Sequence, residues 1–525
     1  MLDLRLVDAT IHTMDPAHPV AREVGVWRGR VVGVDDEVAD LPARREVSLG
    51  GATVLPGFVD AHVHLAWAGM REGGVSVAPC ERVDHVLAVI ERAAAAAPVG
   101  EWVDIVGYDQ RALGRHLTAG ELDAVSGGRK VFVVHDSGHA CVVNTAVTAL
   151  LPLGVTHDDG VLTEGGMAAV RDLRQPYSVA EVSAAITRAA RTCLSEGVTT
   201  VAEAGIGGGL ITHSPIELAA YQHALDTGLL PIRVQVMVAA SLLRDLGAHP
   251  TDDTPRAMDL GLRTGFGGDR VGIGALKVFT DGGMMARTAA LTAPYIGSGH
   301  SGQLYADADE LRRLITDGHR AGWQLAVHAI GDRAVDLALD AIADAQRAHP
   351  RPAPRHRIEH AGLVRPDQLA RFAALGLTAV IQPNFLWYLG DDYADIMGPE
   401  RADWLYRGRG FLDHGVALAG SSDRPVTTGA PLRSIQFMVE RRTATGRPVG
   451  PDEAVTVLEA LRAFTIDAAR ACRLEDSLGS ITAGKHADFA VLAADPTTTP
   501  PGAIGDIEVV ATAVAGAVAH GERLW

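Results

Sequence analysis

Short runs of apolar and β-branched residues, bounded by Gly, Pro and polar clusters, alternate along most of the chain with longer stretches whose apolar positions recur at helical spacing. The first pattern predicts strands and the second amphipathic helices. The strand-like runs are Val54 to Leu65, Gly197 to Glu203, Ile232 to Ala239, Gly274 to Thr280, Gln324 to Ile330, Arg357 to Ala361, Leu377 to Pro383 and Val416 to Asp423. Between them lie Ala-, Leu- and Arg-rich stretches such as Asp309 to Ala321 and Ala334 to His349, which read as helices. Strands that are apolar on both faces and alternate with helices form a parallel sheet covered on both sides. Eight such repeats predict an α/β fold closed into a (β/α)8, TIM-like barrel, while periodicity alone leaves an open doubly wound sheet in play.

Two regions stand outside the eightfold pattern. The interval from about 67 to 190 is far longer than a strand–helix connection. It carries its own helix pattern, Val86 to Ala97, and strand patterns at Trp102 to Val106 and Lys130 to His135, and reads as an inserted α/β subdomain. The chain ends share another texture, short strands joined by turns: Leu6 to His12 and Glu23 to Val34 at one end, Asp488 to Leu492 and Val509 to Val518 at the other. In this reading residues 1–55 and 479–525 pair into one small β-sandwich domain built from both termini, and 56–478 form the barrel.

Composition narrows the function. With 525 residues, 47% of them hydrophobic, the chain can bury a large core. A formal net charge of -17 argues against nucleic acid as a partner, which calls for clustered Lys and Arg. No apolar run reaches the length of a membrane span, and the N-terminal stretch alternates like a strand where a secretory signal would show a basic segment followed by an apolar one. The four cysteines, Cys80, Cys141, Cys193 and Cys472, are scattered, so neither a disulfide framework nor a thiolate zinc site is expected. A reducing cytoplasm fits best.

The candidate chemistry sits where a closed parallel barrel puts its active site, at the C-terminal ends of the strands. His62 and His64 end the first run two residues apart, so both imidazoles point to the same side and can converge on one metal ion. Lys277 lies in the fourth run, His328 in the fifth, His360 in the sixth, and Asp423 ends the eighth. Neutral imidazoles and carboxylates suit zinc and similar divalent ions. An ammonium among such cations is disfavoured, so Lys277 is expected neutral or converted by carbon dioxide to a carbamate that bridges two metals. An ion pair of Lys277 with Asp281 or another acid near the barrel mouth is the bland alternative.

The segments Pro56 to His64, Lys277 to Gly282, Val327 to Arg333, Arg357 to His360 and Gly420 to Asp423 resemble the metal-dependent amidohydrolase superfamily, in particular the branch containing N-substituted formamide deformylases. The likeness extends to Gly107 to Gln110 and Asp136 to Ala140 in the insert and to Gly484 to Asp488 near the end. It implies one metal on His62, His64, Lys277 and Asp423 and a second on Lys277, His328 and His360, zinc first among the candidates, with Lys277 carboxylated. The implied reaction is hydrolysis of a C–N amide bond, N-formyl, N-acyl or cyclic, by a metal-activated hydroxide with Asp423 as general base. His139 and Arg287 are candidates to orient the substrate or its oxyanion. Phe385 and Trp387 would wall an apolar pocket or cap the barrel, and Asp60 and Glu359, beside the ligands, read as acceptors that orient them. The sequence departs from the resemblance at Gly283 to Arg287, where two methionines stand, and at Ala202 to Gly205, which lacks the expected His-Asp pair. The partner expected is a small amide, with a homodimer as the assembly if any forms. Two alternatives remain at this stage: a deaminase of a cyclic amidine or aminopurine, disfavoured because no Glu follows His328 at two residues, and a non-catalytic binding protein.

Overall fold

The strands that read as apolar on both faces form one eight-stranded parallel sheet: β1 (Phe58–Val63), β2 (Val198–Ile206), β3 (Arg233–Ala239), β4 (Val271–Phe279), β5 (Leu325–Ala329), β6 (Arg357–His360), β7 (Thr378–Ile381) and β8 (Ala417–Gly420). The computed structural model describes residues 1–135, 140–208 and 212–521. Each strand pairs with the next in chain order, and every residue of β1, β2, β5, β6 and β7 is buried. That burial is why these strands lack the in–out alternation of a half-exposed sheet. Helices follow the strands where their spacing predicts, among them Ala308–Arg320 after β4 and Asp332–Ala348 after β5. Asp307 caps the first of these by accepting from the Asp309 and Glu310 amides.

Between β8 and β1 the sheet closes without a regular ladder. Asp423 N–H donates to His62 O at 2.8 Å and His64 N–H to Arg424 O at 2.8 Å. The Asp60 carboxylate, on β1, accepts the Ser422 amide at 2.9 Å and also its hydroxyl. The interior is lined by small residues, including Ala61, Ala202, Ala204, Ala275, Ala326 and Ala419. Their size leaves room for the long side chains of Lys277 and Arg357, both fully buried.

The run expected from Val54 to Leu65 is two strands. Thr53–Pro56 belongs to a six-stranded sheet and β1 begins after Gly57. A Cβ on Gly57 would stand 2.3 Å from Thr199 Oγ1, so the chain crosses β2 there too closely for any side chain. The six-stranded sheet joins Val20–Ala21, Thr10–His12 and Thr53–Pro56 to Phe489–Leu492, Val509–Val514 and Ala517–His520. A four-stranded sheet holds Leu4–Val7, Val24–Trp27, Arg30–Val34 and Glu46–Ser48. Both sheets contribute to one core, with Leu6, Ile11, Val24 and Val54 packed among Phe489, Val491 and Ala513. The single C-terminal run read as Val509 to Val518 is a hairpin, turning at Ala515 and Gly516, both at positive φ.

The described chain divides into two compact units, one of residues 1–65, 189–212 and 216–525, the other of 66–188 and 213–215. In the second, Val75–Ser76, Trp102–Tyr108 and Lys130–His135 pair in parallel, and Ala140–Val143 and Val161–Thr163 extend that sheet antiparallel. The helix Val83–Ala96 sinks Val86, Ile90 and Ala94 into a core with Ile105, Val131 and Val133.

Candidate metal centre

Five of the strands deliver the side chains that the sequence singled out, and all six of His62, His64, Lys277, His328, His360 and Asp423 are buried. His62 is the hub. Its Nε2 lies 3.2 Å from Lys277 Nζ and 3.5 Å from Asp423 Oδ1, and Asp423 Oδ1 is in turn 3.0 Å from His64 Nε2. One ligand atom each of His62, His64 and Asp423 lies within 4.8 Å of the others, a group able to hold one metal ion. The His360 ring stands 4.8 Å from that of His62 and 4.4 Å from that of His328, centroid to centroid.

The electrostatics keep this cluster in the form that binds metal. Burial, then the neighbouring Lys277, pushes the His62 imidazole well below its usual range. Burial and the adjacent His328 do the same for His360, so both rings are neutral. Burial also lowers the Lys277 ammonium to about 8, against the pull of Glu359 and Asp423. Among the described residues His328 Nδ1 and Asp423 Oδ1 are buried without a hydrogen-bond partner. Buried polar atoms left in this way are costly, and cations bound in the cluster would satisfy them. The donor set of imidazoles and carboxylate therefore fits a divalent ion of the zinc kind.

Acceptors behind the rings set their orientation. His62 Nδ1 lies 2.5 Å from Glu359 Oε2, and His360 Nδ1 lies 2.7 Å from Gln382 Oε1, whose amide is held by Ser421 Oγ at 2.8 Å. His64 Nδ1 faces Glu203 Oε1 at 3.9 Å, and Glu203 also accepts from the Leu65 amide at 2.8 Å and from the Tyr221 hydroxyl. Asp60, pushed up to about 6 by burial, is spent on the β1–β8 closure and on the His62 amide at 3.2 Å.

Residues 45–520 match the model of the amidohydrolase family. The chain belongs to the amidohydrolase family. It is 30% identical to the N-substituted formamide deformylase of Arthrobacter pascens, over 99% of this chain and 98% of that one. Crystal structures of uncharacterized metal-dependent hydrolases from Pyrococcus horikoshii OT3 and Pyrococcus furiosus are similar to it, with TM-scores of 0.79 and 0.78 at 27% and 29% identity. They cover 95% and 94% of this chain, which spans 99% and 100% of theirs. This amidohydrolase is thus a metal-dependent hydrolase of carbon–nitrogen bonds on a TIM-like barrel. None of its helices, among the described residues, is long and apolar enough to cross a membrane.

The remaining candidates of the amidohydrolase divide. Phe385 stacks on His360 at 6.5 Å and 17°, and meets Tyr406 edge-on, so it walls the cluster. Trp387 turns away, under the Arg433 guanidinium at 4.7 Å. Arg287 is exposed on the turn after β4, at φ 55°, where its amide donates to the Met284 carbonyl at 2.9 Å; no contact between its guanidinium and the histidines is seen among the described residues. In the same turn Met284 is buried and Met285 exposed. His139 lies outside the described residues. Lys277 does not pair with Asp281. That carboxylate is saturated by the Ala290, Ile330 and Gly331 amides at 2.9, 3.0 and 2.8 Å. Sequence reasoning missed Arg357, Gln382 and Glu203. Arg357 and Gln382 carry a legible signal, a polar residue in an otherwise apolar barrel strand or at its end; Glu203 was seen only as a departure from an expected pair.

Proposed function

We propose that this amidohydrolase hydrolyses the C–N bond of a small amide of the N-formyl, N-acyl or cyclic kind, with N-substituted formamides first because the relative from Arthrobacter pascens is named for them. The observation that carries the reading is the convergence of His62, His64 and Asp423 with Lys277 Nζ 3.2 Å from His62 Nε2. His62, His64, Lys277 and Asp423 would hold one divalent ion, most simply zinc, and Lys277, His328 and His360 a second. Bound there, the metal supplies Lewis acidity that polarises an amide carbonyl and makes water a nucleophile near neutral pH.

Lys277 joins this set as a carbamate, since an ammonium so near the ligand atoms would repel a cation and a carbamate supplies anionic oxygens. The free amine attacks the carbon of CO2, forms an N–C bond and loses one proton, which turns a repelling group into an anionic ligand. Asp423 takes the proton of the attacking water and delivers it to the departing amine. Phe385 covers the apolar side of the reacting group and limits water there.

The test pairs metal analysis with a substrate screen. Purified protein should carry zinc or a similar ion after gel filtration, and a His62→Ala, His64→Ala double variant should lose most of it. On a panel of formamides, acyl amides and cyclic amides the product should be free amine plus acid. Release of ammonia from cyclic amidines would favour the deaminase, and intact metal in the double variant would sink the ligand assignment.

A further inference from the structure

Arg357 and Glu359 occupy the barrel interior in a way that the hydrolysis itself does not require. We infer that they form a brace from β6 to β1 that fixes both the ring and the backbone of His62 and thereby sets the affinity of the metal centre. The inference rests on the reading of His62 as a metal ligand.

The strands β6 and β1 are not neighbours in the sheet, so the contact between them crosses the barrel through side chains. Arg357 Nε donates to Glu359 Oε1 at 2.6 Å and Nη2 donates to Oε2 at 2.9 Å, a two-pronged pair within one strand. The same Nη2 reaches the Ala61 carbonyl at 2.5 Å, one residue before His62. Glu359 Oε2 lies 2.5 Å from His62 Nδ1. One guanidinium–carboxylate pair therefore holds the peptide leading into His62 and, through the glutamate, its imidazole. Arg357, Glu359 and His62 are all buried to within 1% exposure, so water cannot substitute for any of these bonds.

The chemistry gives the arrangement a direction. A carboxylate whose oxygens are engaged by arginine can only accept, so the bond to His62 puts the proton on Nδ1. The lone pair is then on Nε2, the atom 3.2 Å from Lys277 Nζ and 3.5 Å from Asp423 Oδ1. A hydrogen bond from the far nitrogen of a ligating histidine fixes its tautomer and raises its basicity, and removing such a partner weakens metal binding by about 10- to 100-fold. Arg357 is a positioning residue in this scheme, and so is Glu359.

The test uses full-length protein and zinc as the only probe. Glu359→Gln keeps the shape and removes the charge; Arg357→Met removes the anchor. Competition with a chelator should show zinc affinity lowered about 10- to 100-fold in both. Long-range proton–nitrogen NMR of metal-free wild type should show His62 neutral and protonated at Nδ1. A structural role alone would lower the melting temperature and leave the zinc affinity of the folded protein unchanged, which overturns the brace. Wild type that takes up no zinc overturns the reading of the centre itself, a different failure. Should Glu359→Gln not fold, the wild-type spectrum decides, because a His62 ring protonated at Nε2 contradicts the brace.

Discussion

Asp423 and His360 both sit at positive φ, 53° and 70°, a region that only a few per cent of non-glycine residues enter, Asp and His among the more frequent of them. Both lie just where a barrel strand gives way to a loop, and backbone strain of about 1–3 kcal/mol persists at such places only when the surroundings impose it. Here the His62 carbonyl fixes the Asp423 amide, and Gln382 fixes the His360 ring. With Asp423 so held, Asp423→Asn keeps the shape and loses the base. Turnover on an amide that the wild type hydrolyses should fall by roughly 10² to 10⁴, with a smaller change in substrate binding, as steady-state kinetics would reveal. Lys277→Ala should be inactive and recover part of its activity with added short-chain carboxylic acids, which can take the carbamate's place. No recovery at any acid concentration, in protein that still folds, would count against the carbamate. The identity of these residues was legible from their types and strand-end positions, and Glu359 was legible as an acceptor, but which ring it serves and the role of Gln382 were not, because both act on rings carried by other strands.

At the level of the element, the eighth strand is shorter than its sequence reads. The run from Val416 to Asp423 predicts a strand ending at Asp423, whereas β8 stops at Gly420. Ser421 bonds back to Ile381 of β7, and Ser422 and Asp423 are spent on closing the barrel against β1, a constraint that the pattern of one strand does not contain. Gly420 marks the change: a Cβ there would lie 2.3 Å from the Phe464 ring. Gly420→Ala should cost about 1–3 kcal/mol as overpacking, read as a lower denaturant midpoint. Because the strain falls three residues from Asp423, the variant should also release metal to a chelator faster than wild type. A helix end further on follows its sequence closely. In Thr456-Val-Leu-Glu459 the hydroxyl accepts the Glu459 amide at 3.2 Å and the carboxylate accepts the Thr456 amide at 2.8 Å, as the capping-box spacing predicts.

Over the whole barrel, a second histidine pair stands away from the metal centre. His319 Nδ1 lies 2.8 Å from His356 Nε2, His319 Nε2 lies 2.7 Å from the His349 carbonyl, and His356 Nδ1 accepts the Leu325 amide at 3.0 Å. These bonds tie the helix Ala308–Arg320 to the starts of β5 and β6, and the two in which a ring nitrogen accepts, from the Leu325 amide and between the two rings, require neutral imidazoles. Burial lowers both pKa values below the ordinary 6.5, with the Arg351 charge adding to the effect at each ring. The unfolded chain therefore binds more protons than the folded one below that pH, so this contribution to stability is complete above about 6.5 and declines as the pH falls. Melting temperature measured from pH 8 to 5 should drop on the acid side, and the drop should be shallower in His356→Gln. An equal slope in the two proteins would show that the pair does not titrate. A buried ion pair ties the chain end to the barrel in the same structural spirit: Asp488 accepts from Arg233 of β3 at 2.7 and 3.1 Å and from the Ala515 amide at 2.7 Å. That gives a physical task to the aspartate closing the Gly484 to Asp488 segment.

The sequence by itself determined the number and order of the barrel strands, because strands buried on both faces must be apolar throughout and so stand out from their helices. It also determined which side chains could hold a metal, since His and Asp are rare enough in such strands to be noticed. Only the tertiary structure decided how the barrel closes, where Gly57 and Gly420 are forced by side chains of Thr199 and Phe464, and which nitrogen of His62 faces the cluster. Those outcomes depend on contacts between residues far apart in the chain, such as His62 with Glu359 and Asp60 with Ser422. Local periodicity records what each segment buries, but it carries no information on which distant partner it is buried against.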